Sequence, residues 1–317
     1  MRKALVVGID YYENINQLYG CVNDAYGINQ VLARHSDGTK NFDIDLETAT
    51  NVSSAIGRKE LKNKIEELFN DQSEIALFYF SGHGYVESTG GYLISSECKD
   101  GDDGFPMNEL LQIANDSPAK NKVIILDCCH SGIMGSQTPK DNNAVLSEGM
   151  TILTASSKDQ YALEEKGSGV FTNLLIDAMN GSASDLIGNI TPGSIYAHID
   201  QSLGAWKQRP IFKTNVRSFT TLRKVQPPIS LTDLKKLTDL FPDKGQEFKL
   251  DPSFEPESKH PNKENVIKFK LLQKYNRINL VVPVDSEHMY FAAMENKSCR
   301  LTILGEHYWN LITNDRI

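Results

Sequence analysis

Neither a disulfide framework nor a zinc site is legible in this chain, because its five cysteines in 317 residues include no CxxC pair and no regular spacing. An odd number of thiols in a long chain is the usage of a reducing compartment, so a cytoplasmic location is expected. Basic excess is lacking too: 33 Lys and Arg face 41 Asp and Glu, a formal net charge of −8. That balance argues against binding a phosphate backbone, and nucleic acid is not an expected partner. A basic peptide or protein would instead be attracted. No apolar stretch reaches the length of a membrane span. Met1-Arg2-Lys3 precedes an apolar run, but the run breaks at Gly8 and meets Asp10, too short for the core of a signal peptide. Neither a membrane partner nor an export signal is expected. Internal repeats and low-complexity tracts are missing as well.

What is present is an ordinary globular composition, 40% hydrophobic and 23% charged, in a chain long enough for one sizeable domain and a smaller module. Apolar runs at Ala4–Ile9, Ile75–Phe80, Val123–Leu126 and Met150–Ala155 read as buried strands. Asp45–Thr50 is expected as a further strand, Gly90–Ile94 as a hairpin, and Ile211-Phe212 and Phe219–Leu222 as the last strands of the sheet. Helical spacing runs from Gly20-Cys21-Val22-Asn23-Asp24-Ala25 through Leu32, and over Glu60–Phe69, Met107–Ala114, Val170–Met179 and Ser194–Leu203. Strands alternating with helices predict an α/β fold, a mostly parallel sheet with helices on both faces. Pro227-Pro228 marks a boundary. Residues 1–225 form the main domain in this reading. Residues 226–265, with Pro242, Pro252, Pro256 and Pro261, form a linking or wrapping segment. Residues 266–317 form a small α+β module in the order helix, strand, hairpin, helix, the hairpin including Tyr290-Phe291.

Two of the strands stop in turns that carry chemistry. One ends in Ser81-Gly82-His83-Gly84 and the other in Asp127-Cys128-Cys129-His130-Ser131-Gly132, with Cys129 46 residues after His83. Ligand crevices of α/β sheets lie outside the carboxyl ends of the strands, and an imidazole beside a thiol can take its proton and make it a nucleophile. A core strand ending in a buried thiol is the plain alternative. Alternation along an extended strand would place Asp127 on the face of Cys129 and Ser81 on that of His83, sending Cys128 toward a helix layer. Cys129 is thus the candidate nucleophile and Cys128 a buried thiol.

Phe80-Ser81-Gly82-His83-Gly84 and Asp127-Cys128-Cys129-His130-Ser131-Gly132 resemble the two active-site motifs of metacaspases and related bacterial caspase-like cysteine peptidases. Val7-Gly8-Ile9-Asp10-Tyr11-Tyr12 and Gly20-Cys21-Val22-Asn23-Asp24-Ala25 are similar to that family's opening segment, and Gly169-Val170-Phe171-Thr172 resembles its later helix start. The likeness covers about residues 1 to 222. It implies a caspase-like fold, a His83–Cys129 dyad, and an oxyanion hole formed by the N–H groups of Gly84 and Cys129. It further implies that Asp24, Ser81 and Asp127 line a primary pocket that holds arginine or lysine and repels aspartate. The plainer readings are a helix cap for Asp24, and an orienting partner of His83 or a loop cap for Asp127. Many eukaryotic metacaspases need calcium. Here Asp100, Asp102 and Asp103 read as a solvated acidic loop, so no metal or other cofactor is assigned as required. Lys140, in the polar stretch after the nucleophile, is the best-placed basic residue for self-cleavage.

The C-terminal part resembles extensions of bacterial caspase-like proteins in anti-phage systems, including those switched on by nucleotide signals from TIR-type enzymes. Tyr290, Arg300, His307, Tyr308 and Trp309 are candidates for a base-stacking, phosphate-contacting pocket, with a packed cap containing Tyr290 and Trp309 as the alternative. Three functions compete: a ligand-gated cysteine endopeptidase of bacterial defence or cell death, a constitutive housekeeping peptidase, and a non-catalytic scaffold.

Overall fold

The computed structural model describes residues 1–128, 145–155, 164–165, 168–203 and 209–317. The chain divides into two compact units, Met1–Gln226 and Pro227–Ile317. The first begins with β1 (Arg2–Ile9), α1 (Cys21–Ala33), β2 (Asp43–Ala49), α2 (Arg58–Asn70) and β3 (Ile75–Ser81). A small antiparallel sheet of β4 (Gly84–Glu87), β5 (Gly90–Leu93) and β6 (Phe105–Pro106) follows, then α3 (Met107–Asp116), β7 (Asn121–Asp127) and β8 (Met150–Thr154). The unit closes with β9 (Glu164–Glu165), β10 (Ser168–Gly169), α4 (Val170–Asp177), β11 (Asn189–Ile190), α5 (Pro192–Leu203), β12 (Ile211–Asn215) and β13 (Arg223–Lys224).

Six strands make the central sheet in the order β12-β8-β7-β3-β1-β2. All pairings are parallel except β12 on β8. The continuous apolar runs of β1, β3 and β7 follow from burial on both faces. Leu5, Val7, Phe78, Phe80, Ile124 and Leu126 pack on one side with Leu61, Ile65 and Leu110 of α2 and α3. Val6, Leu77, Tyr79, Val123 and Ile125 pack on the other with Ile28, Phe171, Leu175 and Ile195 of α1, α4 and α5. The mostly parallel α/β sheet expected from the strand–helix alternation is therefore present.

Several local expectations change. Phe219–Leu222 forms no strand: Phe219 packs on Phe212 at 5.8 Å between ring centroids, and the short β13 beyond it pairs with β11 outside the main sheet. Gly90–Ile94 is only the return arm of a hairpin whose first arm, β4, starts directly after His83. Helix α4 ends in a wider turn over Ala178–Ser182, where Gly181 adopts φ 134°. Strand β2 starts at Asp43, two residues earlier than its pattern suggests.

The second unit comprises α6 (Leu231–Lys235), α7 (Leu237–Leu240), β14 (Phe248–Lys249), α8 (Lys263–Arg277), β15 (Val281–Val284), α9 (Met289–Met294), β16 (Ser298–Leu301) and α10 (Ile303–Thr313). Its sheet is antiparallel, β14-β16-β15. Within this unit the segment 226–265, expected as a linking or wrapping stretch, packs against the rest rather than only connecting it. It supplies β14 and three rings of an aromatic row, Phe241, Phe248 and Phe254, which ends on Phe269 of α8, with successive centroids 6.0, 5.8 and 6.2 Å apart. Its prolines punctuate turns between buried anchors. Tyr290-Phe291 lies in α9 rather than in a hairpin. No helix among the described residues is long and apolar enough to cross a membrane.

Gly8 shows how tightly the sheet receives α1: a Cβ there would stand 2.4 Å from the Cys21 carbonyl oxygen and 2.7 Å from the Ala25 Cβ. Gly8→Ala is expected to lower unfolding free energy by about 2 kcal/mol, the scale of an overpacked core. Chemical denaturation checks this, and an unchanged midpoint would contradict so close a contact.

Candidate active site

Strand β1 leads to β2 on one side and β3 lies on its other side, so the strand order reverses between β1 and β3. The carboxyl ends of those strands are the expected crevice. Neighbouring β3 and β7 run in parallel register, with Ser81 opposite Asp127. Both side chains face the α1–α4 layer, because they continue the alternation of Leu77, Tyr79, Val123 and Ile125.

There they meet Asp24, on the first turn of α1. Asp24 is not the helix cap. Gly20 holds that position, and the side chain serving the helix start is Asp10, whose Oδ1 accepts from the Cys21 N–H at 2.9 Å. Asp24 is 2% exposed and accepts from Ser81 Oγ at 3.0 Å and from the Gly169 N–H at 3.1 and 3.2 Å. Asp127, 5% exposed, accepts from Thr172 Oγ1 at 2.7 Å. Gly169 stands between the carboxylates: a Cβ there would lie 2.3 Å from Asp127 Oδ2 and 3.1 Å from Asp24 Oδ2. It is also the N-cap of α4, whose positive end stabilises negative charge. Asp24, Ser81 and Asp127 are thus gathered from three segments around a fourth. Beside them, burial pushes the Cys21 thiol well up, with Asp10, Asp24 and Asp127 adding to the rise and a hydrogen bond with Ser81 opposing it.

His83 is half-buried two residues past the end of β3. Its backbone N–H donates to the Tyr12 hydroxyl at 2.8 Å, and the two rings lie 4.7 Å apart. Its Nε2 lies 2.8 Å from the Asn16 carbonyl oxygen. A carbonyl only accepts, so Nε2 carries the proton in the neutral ring and Nδ1 keeps its lone pair. The expected shared face of Ser81 and His83 does not hold. The chain turns at Gly82, where the Tyr12 hydroxyl leaves a Cβ only 2.7 Å, and His83 rests on a ring of the α2–α3 cluster. Cys128 is buried in that same cluster, as alternation along β7 requires. Cys129 and Lys140 lie outside the described residues.

The Ile94 N–H donates to the His83 carbonyl at 3.1 Å, which makes Gly84 and Leu93 a non-hydrogen-bonded pair of the hairpin. The Gly84 N–H therefore plays no part in that ladder. Tyr12, Asn16 and Thr172 were not legible as site residues in the sequence. Tyr12 and Thr172 lay within stretches that resemble family motifs, but nothing in those stretches marked the two residues as site residues.

The five C-terminal candidates do not share one lining. Trp309 donates its indole N–H to the Phe241 carbonyl at 2.6 Å, and Tyr308 is buried. Tyr290 is half-exposed on α9, edge-on to Phe291 at 5.4 Å. Arg300 lines a cavity with Lys244, Asn279 and Thr302, in which none of the other four takes part. In the acidic loop, Gly101 packs against the Tyr85 ring and Asp103 accepts from the Lys99 N–H at 2.9 Å. Among the described residues no group of three His, Cys, Asp or Glu side chains is placed to hold a metal ion.

Residues 1–221 match the caspase domain, and the chain belongs to that family of cysteine peptidases. It is 33% identical over 86 residues to Metacaspase-1 of Schizosaccharomyces pombe, covering 26% of this chain and 20% of that protein. It is 28% identical over 206 residues to Metacaspase-1 of Debaryomyces hansenii, covering 60% of this chain and 44% of that protein. The chain thus spans less than half the length of these relatives. Protein GSU0716 of Geobacter sulfurreducens shares the fold, with a TM-score of 0.53 at 15% identity over 71% of this chain and 100% of that one.

The Asn16 contact fixes a tautomer that can be read directly. Nitrogen-15 NMR of histidine-labelled protein at a pH where the ring is neutral is expected to show Nε2 protonated and Nδ1 bare. The opposite assignment would mean that Asn16 does not hold the ring.

Proposed function

We propose that this protein is a cysteine endopeptidase that cuts after arginine or lysine, with Cys129 as nucleophile and His83 as general base. The observation that carries the proposal is the buried pair Asp24 and Asp127, closed by Ser81 and Gly169 at the level where β3 and β7 end. Two carboxylates beside the reacting centre attract a guanidinium or ammonium and repel an acidic side chain.

In the proposed reaction His83 Nδ1 takes the Cys129 thiol proton, and the thiolate adds to the substrate carbonyl carbon. The oxyanion of the tetrahedral intermediate is met by the Gly84 N–H together with that of Cys129. Imidazolium His83 returns its proton to the departing amine as the peptide C–N bond breaks. A water, deprotonated by the same ring, then hydrolyses the thioester and restores the thiol. This sequence needs side chains, backbone and water alone. The tautomer held by Asn16 supports the role given to Nδ1.

Fluorogenic peptides ending in arginine, lysine or aspartate test the proposal on wild type, Cys129→Ala and Asp127→Asn. Arginyl and lysyl peptides are expected to be cut, aspartyl peptides not, and Cys129→Ala to be inert. Asp127→Asn should lose at least tenfold in kcat/KM, about the value of one charge-assisted contact. Better cleavage after aspartate would overturn the pocket; activity in Cys129→Ala would overturn the nucleophile.

A further inference from the structure

Behind Asp127 lies a buried hydroxyl pair that the proposed chemistry does not use. Thr172, fully buried in the first turn of α4, places Oγ1 2.7 Å from Asp127 Oδ2 and 2.6 Å from the Tyr79 hydroxyl. Tyr79 is fully buried in mid-β3 and belongs to the α1–α4 cluster. The directions of these bonds follow from counting protons. An ionised carboxylate can only accept, so the single Thr172 hydroxyl proton goes to Asp127. Thr172 then has only lone pairs to offer Tyr79, and Tyr79 must be the donor. The chain runs Tyr79 O–H to Thr172 O–H to Asp127 Oδ2, each bond polarising the next. Burial, with Asp24 and Asp127 nearby, pushes the Tyr79 phenol well up, which keeps it protonated and able to donate.

We infer that Thr172, backed by Tyr79, is a positioning residue for substrate specificity: by donating to Oδ2 it fixes the Asp127 carboxylate in the orientation that meets the basic side chain of the substrate. The geometry leaves Asp127 little other freedom. Gly169 crowds Oδ2 from one side so closely that no Cβ fits, and the strand register fixes the backbone opposite Ser81. A carboxylate whose torsion is set offers a fixed acceptor, and a guanidinium gains most from an acceptor that need not be reoriented. The inference rests on the pocket reading of Asp127 and extends it to residues that never touch the substrate.

Binding separates the two. In the full chain carrying Cys129→Ala, the affinity of an acetylated arginyl peptide is measured by calorimetry for Thr172→Val, Thr172→Ser, Tyr79→Phe and Asp127→Asn. Thr172→Val keeps the shape and removes the hydroxyl, and should weaken binding about tenfold, the scale of a hydrogen bond to a charged group. Thr172→Ser should recover most of that loss, and Tyr79→Phe should cost about threefold, because one polarising bond is lost while the contact to Asp127 remains. With Cys129 restored, Thr172→Val should raise KM while kcat changes less than twofold, and Cys129 should be alkylated by iodoacetamide at the wild-type rate. If Asp127→Asn binds the peptide as tightly as its parent, the pocket reading itself fails. If Asp127→Asn is weak but Thr172→Val is not, the positioning role alone is overturned. Equal losses in Thr172→Val and Thr172→Ser, or slowed alkylation in Thr172→Val, would mark Thr172 as packing and likewise overturn it.

Discussion

The parallel register of β3 on β7 is the constraint on which the site depends. Setting Ser81 opposite Asp127 ends both strands at one level and aims both polar side chains at the α1–α4 layer. A slip of one residue would exchange the faces. If β3 slipped, Phe80 would point at Asp24 and Ser81 would enter the apolar cluster around Leu5 and Ile124, and a slip of β7 would do the same with Leu126 and Asp127. Register is held by the apolar runs themselves, whose side chains fill two different cores on the two faces.

Burying carboxylates is costly unless donors meet them. Here the donors come from parts of the chain far apart in sequence: Ser81 from the end of a strand, and Gly169 and Thr172 from the start of α4. The N-terminus of α4 therefore has two tasks, packing Phe171 and Leu175 into the core and satisfying the acidic pair. On the other side of the sheet ends, the loop after β1 holds His83 through Tyr12 and Asn16. The imidazole is fixed by groups that carry no charge, while the acids are fixed by hydroxyls and an amide.

Much of this was legible from local pattern, and the limits have physical causes. Buried strands declare themselves because Val, Ile, Leu and Phe in short runs have few other uses. His83 and Cys129 stood out because each follows such a run. Asp24 was ambiguous, since an aspartate near a helix start is most often a cap; only the fold reveals that Asp10, eleven residues before Cys21, does that work. Tyr12 and Thr172 act through tertiary contacts, which no periodicity encodes. The proline-rich 226–265 segment left linking and wrapping both open because proline marks turns whether or not the residues between them are buried. Phe241, Phe248 and Phe254, spaced irregularly, form one row only in three dimensions.

The acidic cradle is assembled from Asp24, Ser81, Asp127 and Gly169 with Thr172, so its parts leave the ribosome in an order that puts the helix start last. Until α4 emerges, the carboxylates lack the Gly169 amide and the Thr172 hydroxyl, and the sheet lacks part of one covering layer. A nascent chain can thus carry His83 and Cys129 for dozens of residues of synthesis before the buried acidic pair has all of its partners. Chain order alone defers completion of this acidic cluster until α4 has been made.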